Sequence, residues 1–171
     1  MTHNYQRILI IGSPGAGKST LATALARDSQ LPLIRLDRLF WQKDQTTITL
    51  SQLQEKLVPL LAEERWIIDG NYDSLLPQRL QRADLVIYLK VPRIIAIWRV
   101  VKRYFTYRGK SSPGANPDML DPDFLKYIWH FPQRQGKNID RILAEATPSF
   151  HLIEARNRRQ VFQKLALEDT D

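Results

Sequence analysis

Short apolar runs alternate along the chain with segments whose apolar residues recur at helical spacing. A continuous apolar run bounded by turn residues is typical of a strand buried on both faces of a parallel sheet. Five such runs predict strands at residues 6–11, 33–36, 66–68, 85–89 and 150–153. Because helical segments separate these strands, we expect an α/β fold with one parallel sheet and helices on both of its faces.

The helical segments carry signals for their boundaries and faces. The pair Ser51 and Gln54 has the spacing of a capping box, which predicts a helix beginning at Ser51, and Pro59 predicts a kink in it. After residue 92 a further helix is predicted, with one apolar face formed by Ile94, Trp98, Val101 and Phe105. Its basic residues occupy a different face and are Arg99, Lys102 and Arg103.

Composition narrows the class of protein. The 171 residues fit one domain, and 43% hydrophobic with 25% charged residues excludes a mainly disordered chain. The absence of cysteine excludes disulfide scaffolds and thiolate chemistry, and three widely spaced histidines do not favour a histidine-rich metal centre. No apolar stretch reaches the roughly 18 residues that a membrane span needs, and no signal peptide is evident. We expect a cytoplasmic protein without a membrane partner.

The charge is concentrated in one part of the sequence. Lys and Arg number 25 against 18 Asp and Glu, a net charge of +7, which favours a nucleic acid, an anionic membrane or a phosphorylated ligand as partner. Residues 85–117 contain no acidic residue, and the seven basic residues there are Lys90, Arg93, Arg99, Lys102, Arg103, Arg108 and Lys110. Positive charge confined to one segment favours a clamp for a triphosphate over a general coat for a polyanion.

The sequence directly after the first predicted strand matches the phosphate-loop pattern G-x-x-x-x-G-K-[ST] without a mismatch. Glycines let backbone N–H groups approach phosphate oxygens, the lysine reaches the β- and γ-phosphates, and the serine hydroxyl can ligate Mg²⁺. A structural turn that matches by chance is the alternative, and the flanking strand and helix disfavour it. The candidate ATP-binding residues are Gly12, Ser13, Pro14, Gly15, Ala16, Gly17, Lys18, Ser19 and Thr20.

Ligands of parallel α/β sheets bind beyond the carboxyl ends of the strands, so the residues that follow the strands are candidates. Asp69 ends a strand in the manner of a Walker B acid and would hold Mg²⁺, although a turn-forming role in Asp-Gly-Asn is the alternative. Asn71 and Tyr72 follow it as candidate substrate contacts. Asp37 either binds and activates an acceptor hydroxyl or caps the next helix.

The basic segment supports two interpretations. Arg99 and Arg103, one helical turn apart, would stabilise the transferring phosphoryl group, and Arg108 lies in the loop at 106–122 that would close over it. Aromatic residues are interleaved here, so the alternative is a nucleotide-binding regulator that contacts DNA or RNA through residues 90–110. Phe105 falls on the apolar face of the helix, which weakens that alternative.

The chain resembles the adenylate kinase-like P-loop kinases, and more closely the bacterial DNA topology modulation (FlaR-related) proteins. The resemblance covers nearly the whole length. The motifs that carry it lie at 12–19 (Gly-Ser-Pro-Gly-Ala-Gly-Lys-Ser), 36–41 (Leu-Asp-Arg-Leu-Phe-Trp), 66–72 (Trp-Ile-Ile-Asp-Gly-Asn-Tyr), 92–93 (Pro-Arg), 98–99 (Trp-Arg), 107–110 (Tyr-Arg-Gly-Lys) and 129–132 (Trp-His-Phe-Pro).

The resemblance implies a three-layer P-loop NTPase fold over residues 1–171, with strand order 2-3-1-4-5 and a lid at about 99–136. It implies that Lys18 and Ser19 bind ATP and Mg²⁺, that Asp69 is the Walker B-type acid, and that Asp37 faces the acceptor. It further implies lid arginines at Arg99, Arg103 and Arg108, and places Arg156 near the adenine. This chain departs from the family pattern at Arg35, where His is frequent, and at Lys90, where Asp is frequent.

These observations predict an ATP- and Mg²⁺-dependent phosphotransferase that acts on a small acceptor, with a nucleoside monophosphate or a nucleoside as the first choice. In this hypothesis Lys18 neutralises phosphate charge, Asp69 holds the metal, and Asp37 positions or activates the acceptor. A GTPase-like switch ranks last, because the sequence lacks an Asn-Lys-x-Asp motif. The sequence leaves the acceptor and the oligomeric state open.

Overall fold

Five parallel strands form one sheet, and with the strands numbered along the chain their order is 2-3-1-4-5, as expected. The computed structural model describes residues 5–42, 44, 46–107, 120–147 and 149–168. The strands are β1 (Arg7–Gly12), β2 (Leu33–Arg35), β3 (Trp66–Asp69), β4 (Leu85–Leu89) and β5 (His151–Ala155). The register pairs Ile10 of β1 with Asp69 of β3, and Arg35 of β2 also pairs with Asp69. The ends of these three strands therefore lie side by side.

In the described residues, eight α-helices lie between the strands or after the last of them. They are α1 (Lys18–Ser29), α2 (Leu36–Phe40), α3 (Leu50–Ala62), α4 (Leu76–Leu80), α5 (Arg93–Tyr107), α6 (Pro122–His130), α7 (Gln135–Glu145) and α8 (Arg158–Glu168). Short 3₁₀ turns occupy Asp73–Leu75 and Phe131–Gln133. Within the described ranges, no helix is both long and apolar enough to cross a membrane.

Alternation along β1 explains why its apolar run is continuous. Ile8 and Ile10 belong to the core beneath α1 and α8, whereas Leu9 and Ile11 belong to the core beneath α3, α4 and α7. All four side chains have no exposed surface. Because successive side chains of a strand point to opposite faces, a sheet covered by helices on both sides needs apolar residues at every position. The result is three layers, as predicted.

The start of α3 differs from the predicted one. The capping box is formed by Thr49 and Gln52, two residues earlier than the Ser51 and Gln54 pair. The Thr49 hydroxyl accepts from the Gln52 backbone N–H at 3.2 Å, and the Gln52 side chain accepts from the Thr49 backbone N–H at 3.0 Å. Two matching patterns overlap in this sequence, and the burial of Leu53 and Leu57 fits a helix beginning at Leu50. The helix continues past Pro59 to Ala62.

The apolar face predicted for α5 lies on its outer side. Ile94, Trp98 and Phe105 are 70%, 59% and 65% exposed. The buried contacts are made by Ala96 and Val100, which pack against Ile128 of α6. Small side chains let α5 approach its neighbours closely, and the larger apolar residues are left at the surface.

Asp84 joins the beginnings of β1 and β4. Its carboxylate accepts from the backbone N–H groups of Gln6 and Arg7 at 3.0 Å. We expect Asp84→Ala to lower the free energy of unfolding by about 1–2 kcal/mol, because two donors lose a charged acceptor at a partly hydrated site. Urea denaturation measures this change.

The matched control is Asp28→Ala, which removes a carboxylate paired with the adjacent and exposed Arg27. Such a surface pair contributes little, so we expect a change below about 0.5 kcal/mol. Equal losses for the two variants would contradict the role assigned to Asp84.

Candidate active site

A cleft of about 720 Å³ opens where β1, β2 and β3 end. It brings together most of the residues singled out in the sequence, namely Pro14, Gly15, Gly17, Lys18, Ser19, Thr20, Asp37, Asn71, Tyr72, Arg99 and Arg103. The sequence did not indicate the other side chains that line it, which are Leu50, Asp73, Ser74, Val100, Phe124, Tyr127 and Gln135. Strand-end residues and distant helices therefore form one site.

The phosphate loop connects β1 to α1 and is open to an anion. Gly17, at φ 93°, begins α1 without a side-chain hydrogen bond to the first turn. The N–H groups of that turn are thus available to phosphate oxygens. The Lys18 ammonium folds back over the loop and donates to the carbonyl oxygens of Gly12 at 2.9 Å and Ser13 at 3.0 Å. A phosphate bound in the loop would therefore compete with these two carbonyl oxygens for the Lys18 ammonium.

Two glycines bring neighbouring elements close to this loop. Gly12 has φ 145°, and a Cβ there would lie 2.5 Å from the carbonyl oxygen of Leu89. Gly15 has φ 74°, and a Cβ there would overlap the carbonyl oxygen of Ala96 on α5. Larger residues would be strained at these angles and would push β4 and α5 away. The glycines therefore fix the distance between α5 and the loop.

Opposite charges are buried together beneath the phosphate loop. Burial lowers the pKa of the Lys18 ammonium, and the negative charges of Asp69 and Asp37 partly offset that shift. Burial raises the pKa of the Asp69 carboxyl, against the effects of the Lys18 charge and a hydrogen bond from Ser19. Each group has lost most of its hydration and depends on its neighbour. The pKa values of such groups are sensitive to a charged ligand that binds beside them.

Asp69 and Ser19 fit a magnesium ion. Asp69 is 5% exposed, and its Oδ1 has no hydrogen-bond partner among the described residues. The Ser19 hydroxyl bonds to the same carboxylate. Mg²⁺ takes oxygen ligands and usually keeps several waters alongside substrate phosphates. No group of three or more His, Asp or Glu side chains in the described ranges forms a metal site by itself, so these two oxygens would share the ion with a nucleotide.

Asn71 links the loop after β3 to the phosphate loop. Its Oδ1 accepts from the Gly12 backbone N–H at 3.0 Å, and its Nδ2 donates to the Gly12 carbonyl oxygen at 2.8 Å. The amide is thus engaged with the backbone of Gly12. This gives Asn71 a positioning role, while the predicted contact with substrate stays a prediction.

A buried arginine that the sequence analysis missed supports this loop. Arg79 has no exposed surface and donates to the carbonyl oxygens of Gly70 at 2.8 Å and Tyr72 at 3.0 Å, and also to that of Asn71. Burial lowers its pKa to about 9. The signal in the sequence is its spacing, because a position four residues after Leu75 falls on the buried face of the helical segment.

Asp37 and Tyr72 line the cleft together. The Tyr72 hydroxyl donates to Asp37 Oδ1 at 3.1 Å, and the Tyr72 ring lies 5.1 Å from that of Phe40. Burial, followed by the Asp37 charge, raises the pKa of Tyr72, so its hydroxyl remains a donor. Asp37 lies in the first turn of α2, whose N-cap is Arg35 without a side-chain cap bond. The alternative of Asp37 as a helix cap is therefore wrong.

The predicted arginines lie in different places. Arg99 Nη1 donates to the Ala16 carbonyl oxygen at 3.1 Å, and Arg103 lines the same cleft one turn later. Arg108 lies outside the described residues. Arg156 lines a neighbouring cavity of about 560 Å³ together with Ser13 of the phosphate loop. Both cavities border the phosphate loop.

The two departures from the family pattern have structural partners. Arg35 donates to the Thr23 hydroxyl of α1 at 2.8 Å. Lys90 pairs with Asp140 at 2.9 Å and with Glu154 at 2.6 Å. Neither side chain is among those lining the 720 Å³ cleft. Arg35 nevertheless acts on Asp69, because its positive charge opposes the rise in the pKa of that carboxyl.

Comparisons with known proteins agree with this site. The model of the ATPase family associated with various cellular activities (AAA) matches residues 8–58, which contain β1, the phosphate loop and α1. No curated protein matches the chain. The part of the chain around the phosphate loop is therefore similar to that of the AAA ATPases.

Similar solved structures extend the comparison to the whole chain. Shikimate kinase from Acinetobacter baumannii in complex with shikimate has a TM-score of 0.63 at 18% identity, covering 98% of this chain and 96% of that one. Shikimate kinase from Bacteroides thetaiotaomicron has a TM-score of 0.60 at 18% sequence identity, and the match covers 97% of each chain. Shikimate kinase from Aquifex aeolicus has a TM-score of 0.55 at 19% sequence identity, and the match covers 94% of each chain. The chain has a P-loop, kinase-like fold.

The raised pKa of Asp69 predicts that this side chain lowers the stability of the free protein although it favours binding of Mg²⁺ with ATP. The native state holds this proton more tightly than the unfolded chain, so the stability from the group is full at low pH and is lost as pH rises through the raised pKa. At pH 7, above the range in which an unfolded aspartate titrates, burial of this carboxyl therefore costs stability. We expect Asp69→Asn to melt at the same or a higher temperature than wild type, and to lose the stabilisation that Mg²⁺ with ATP gives.

Thermal unfolding at pH 7, with and without Mg²⁺ and ATP, measures both effects. Asp28→Asn is the control and should retain the ligand-induced shift, because Asp28 is exposed on α1. A lower melting temperature for Asp69→Asn, or an undiminished ligand shift, would contradict this account.

Proposed function

We propose that the protein is an ATP- and Mg²⁺-dependent phosphotransferase of the adenylate kinase-like class, which acts on a hydroxyl group of a small molecule. We also propose that it is a cytoplasmic, single-domain member of the DNA topology modulation (FlaR-related) group, with a lid at about residues 99–136. The carrying observation is one cleft lined by Lys18, Arg99 and the Asp37–Tyr72 pair, with the buried Asp69 close enough for its charge to act on Lys18. The kinase-like fold supports this proposal.

The phosphate side of the cleft would bind and polarise the triphosphate. Lys18 would exchange the carbonyl oxygens of Gly12 and Ser13 for phosphate oxygens, and the guanidinium groups of Arg99 and Arg103 would face the transferring group. Asp69 and Ser19 would hold Mg²⁺, which neutralises charge on the β- and γ-phosphates. Arg156, beside the loop, remains the proposed contact for the adenine.

The acceptor side would orient the nucleophile. Asp37 would accept the hydroxyl proton of the acceptor as that oxygen bonds to the γ-phosphorus. The bond between the γ-phosphorus and its bridging oxygen breaks, and ADP leaves with that electron pair. The Tyr72 hydroxyl donates to Asp37 and so fixes the direction of the carboxylate.

A coupled assay of ADP release, with and without candidate acceptors, tests the proposed reaction. We expect Lys18→Ala and Arg99→Ala each to lower kcat by about 100-fold or more, because preorganised charge at the transferring group is removed. Lys102→Ala is the matched control on α5, since its ammonium lies over the Trp98 ring on the exposed face. A kcat in Lys18→Ala equal to that of wild type would sink the proposal.

One observation favours the nucleic-acid alternative. Trp98 and Phe105 are exposed on the outer face of α5, and the Lys102 ammonium lies 5.1 Å from the centre of the Trp98 ring. Exposed rings beside positive charge are suited to stacking on unpaired bases. The structure therefore removes the objection that Phe105 is an apolar core residue.

Anisotropy of labelled single-stranded oligonucleotides tests this alternative. If it holds, binding should fall steeply with salt, and Trp98→Ala or Phe105→Ala should each weaken it by about 1–3 kcal/mol. Arg99→Ala should have a smaller effect, because Arg99 is bound to the phosphate loop inside the cleft. Absence of binding at low salt would exclude the alternative.

A further inference from the structure

The last residues of β2 and β3 are neighbours in the sheet. Arg35 pairs in register with Asp69, and Asp69 pairs on its other side with Ile10 of β1. Neighbouring strands lie about 4.8 Å apart, and side chains at paired positions of parallel strands point to the same face of the sheet. Ile10 belongs to the core beneath α1 and α8, so the side chains of Arg35 and Asp69 also point to that face.

Contacts with α1 agree with this placement. The Arg35 guanidinium donates to the Thr23 hydroxyl at 2.8 Å, and that hydroxyl donates to the Ser19 carbonyl oxygen at 2.7 Å. The Ser19 hydroxyl in turn bonds to the Asp69 carboxylate. Ser19 and Thr23 are four residues apart and lie on one face of the helix. Arg35 and Asp69 are therefore held against successive turns of α1.

The two side chains interact by charge. Arg35 Nε, a donor, and Asp69 Oδ1, an acceptor, are both buried and have no hydrogen-bond partner among the described residues. Burial raises the pKa of the Asp69 carboxyl, and the positive charge of Arg35 is one of the effects that oppose this rise. The guanidinium therefore acts on the carboxylate through space, while its hydrogen bond to Thr23 holds it in place.

The formal charges around Asp69 balance before any ligand binds. Lys18 and Arg35 act on its carboxyl as positive charges, and Asp37 acts on it as a negative charge. Together with the ionised Asp69, these described residues carry two positive and two negative charges. Arg103, whose charge acts on Lys18, adds a further positive charge nearby. A divalent cation beside Asp69 would therefore meet no net negative charge until the phosphate groups of a nucleotide supply it.

We propose, resting on the magnesium site of the function proposed above, that Arg35 lowers the affinity of Asp69 and Ser19 for a divalent cation when no nucleotide is bound. The guanidinium acts through its charge and touches neither the ion nor the substrates. The phosphate groups of the nucleotide outweigh this repulsion, so the site takes the ion together with the triphosphate. Arg35 thereby makes occupation of the metal site depend on the nucleotide.

The probe is Mn²⁺, which accepts the same oxygen ligands as Mg²⁺ and whose paramagnetic resonance signal measures the free ion. The full chain is titrated without nucleotide. We expect Arg35→Gln and the longer, uncharged Arg35→Met to bind Mn²⁺ on the order of tenfold more tightly than wild type, because one positive charge near the ion is removed. Adding Asp69→Asn to Arg35→Gln should abolish the gain, which would assign the bound ion to this site.

Two control variants separate the charge of Arg35 from its structural contact. Arg35→Lys keeps a positive charge, so its affinity for Mn²⁺ should stay close to that of wild type. Thr23→Val removes the hydrogen bond of the guanidinium but keeps its charge, so it should also leave the affinity close to that of wild type. Thermal unfolding of each variant verifies that it is folded.

The role of Arg35 is overturned if Arg35→Gln and Arg35→Met bind Mn²⁺ no more tightly than wild type. It is also overturned if Arg35→Lys or Thr23→Val gains as much affinity as they do, or if the gain survives Asp69→Asn. These outcomes are distinguishable from those of the kinase test. A gain in Mn²⁺ affinity without acceptor-dependent release of ADP supports the role of Arg35 and contradicts the proposed phosphotransferase. Turnover without the gain supports the phosphotransferase and contradicts the role of Arg35.

Discussion

Three consecutive carbonyl groups follow β3, at Gly70, Asn71 and Tyr72, and no neighbouring strand pairs with them. The Arg79 guanidinium donates to all three from within the fold. Buried carbonyl groups need donors, and one planar group with five N–H donors supplies several at fixed angles. With this loop held, the Asn71 amide can bond to both backbone groups of Gly12. The phosphate loop is therefore positioned by an arginine that does not line the cleft.

The same loop sets the acceptor side. Tyr72 has a positive φ of 45°, which is uncommon for a residue with a side chain. Its carbonyl oxygen is held by Arg79 at 3.0 Å, and its hydroxyl reaches Asp37 at 3.1 Å. A strained backbone persists where surrounding contacts determine it, and such strain is common at functional sites. Asn71 and Tyr72, adjacent in sequence, thus support the phosphate loop and Asp37 respectively.

Local pattern predicted the sheet well, since strands covered on both faces need continuous apolar runs and the phosphate loop has a distinctive spacing. It predicted the site only in part. Asp73, Phe124 and Tyr127 come from a 3₁₀ turn and from α6, and no periodicity shows that these elements line one cleft with Asp37 of α2. The sequence pattern did not indicate Arg79, because a charged residue on a short helix is expected at the surface unless its buried partners are known.

The direction in which each basic residue points, rather than the number of basic residues, determines what the basic segment contacts. Lys90 is neutralised by Asp140 and Glu154, and the Arg93 guanidinium lies 4.4 Å from the centre of the Trp129 ring. Of the basic residues on the described part of α5, Arg99 and Arg103 line the cleft, one helical turn apart.

Gly15 is what brings that face of α5 against the phosphate loop, because a side chain there would overlap the Ala96 carbonyl oxygen. Close approach of the helix then lets Arg99 bond to the Ala16 carbonyl oxygen. The outer face is left with Trp98, Phe105 and Lys102. A sequence segment that looks uniformly basic therefore has two faces of different chemistry, and a small residue on the neighbouring loop determines which of them contacts the phosphate loop.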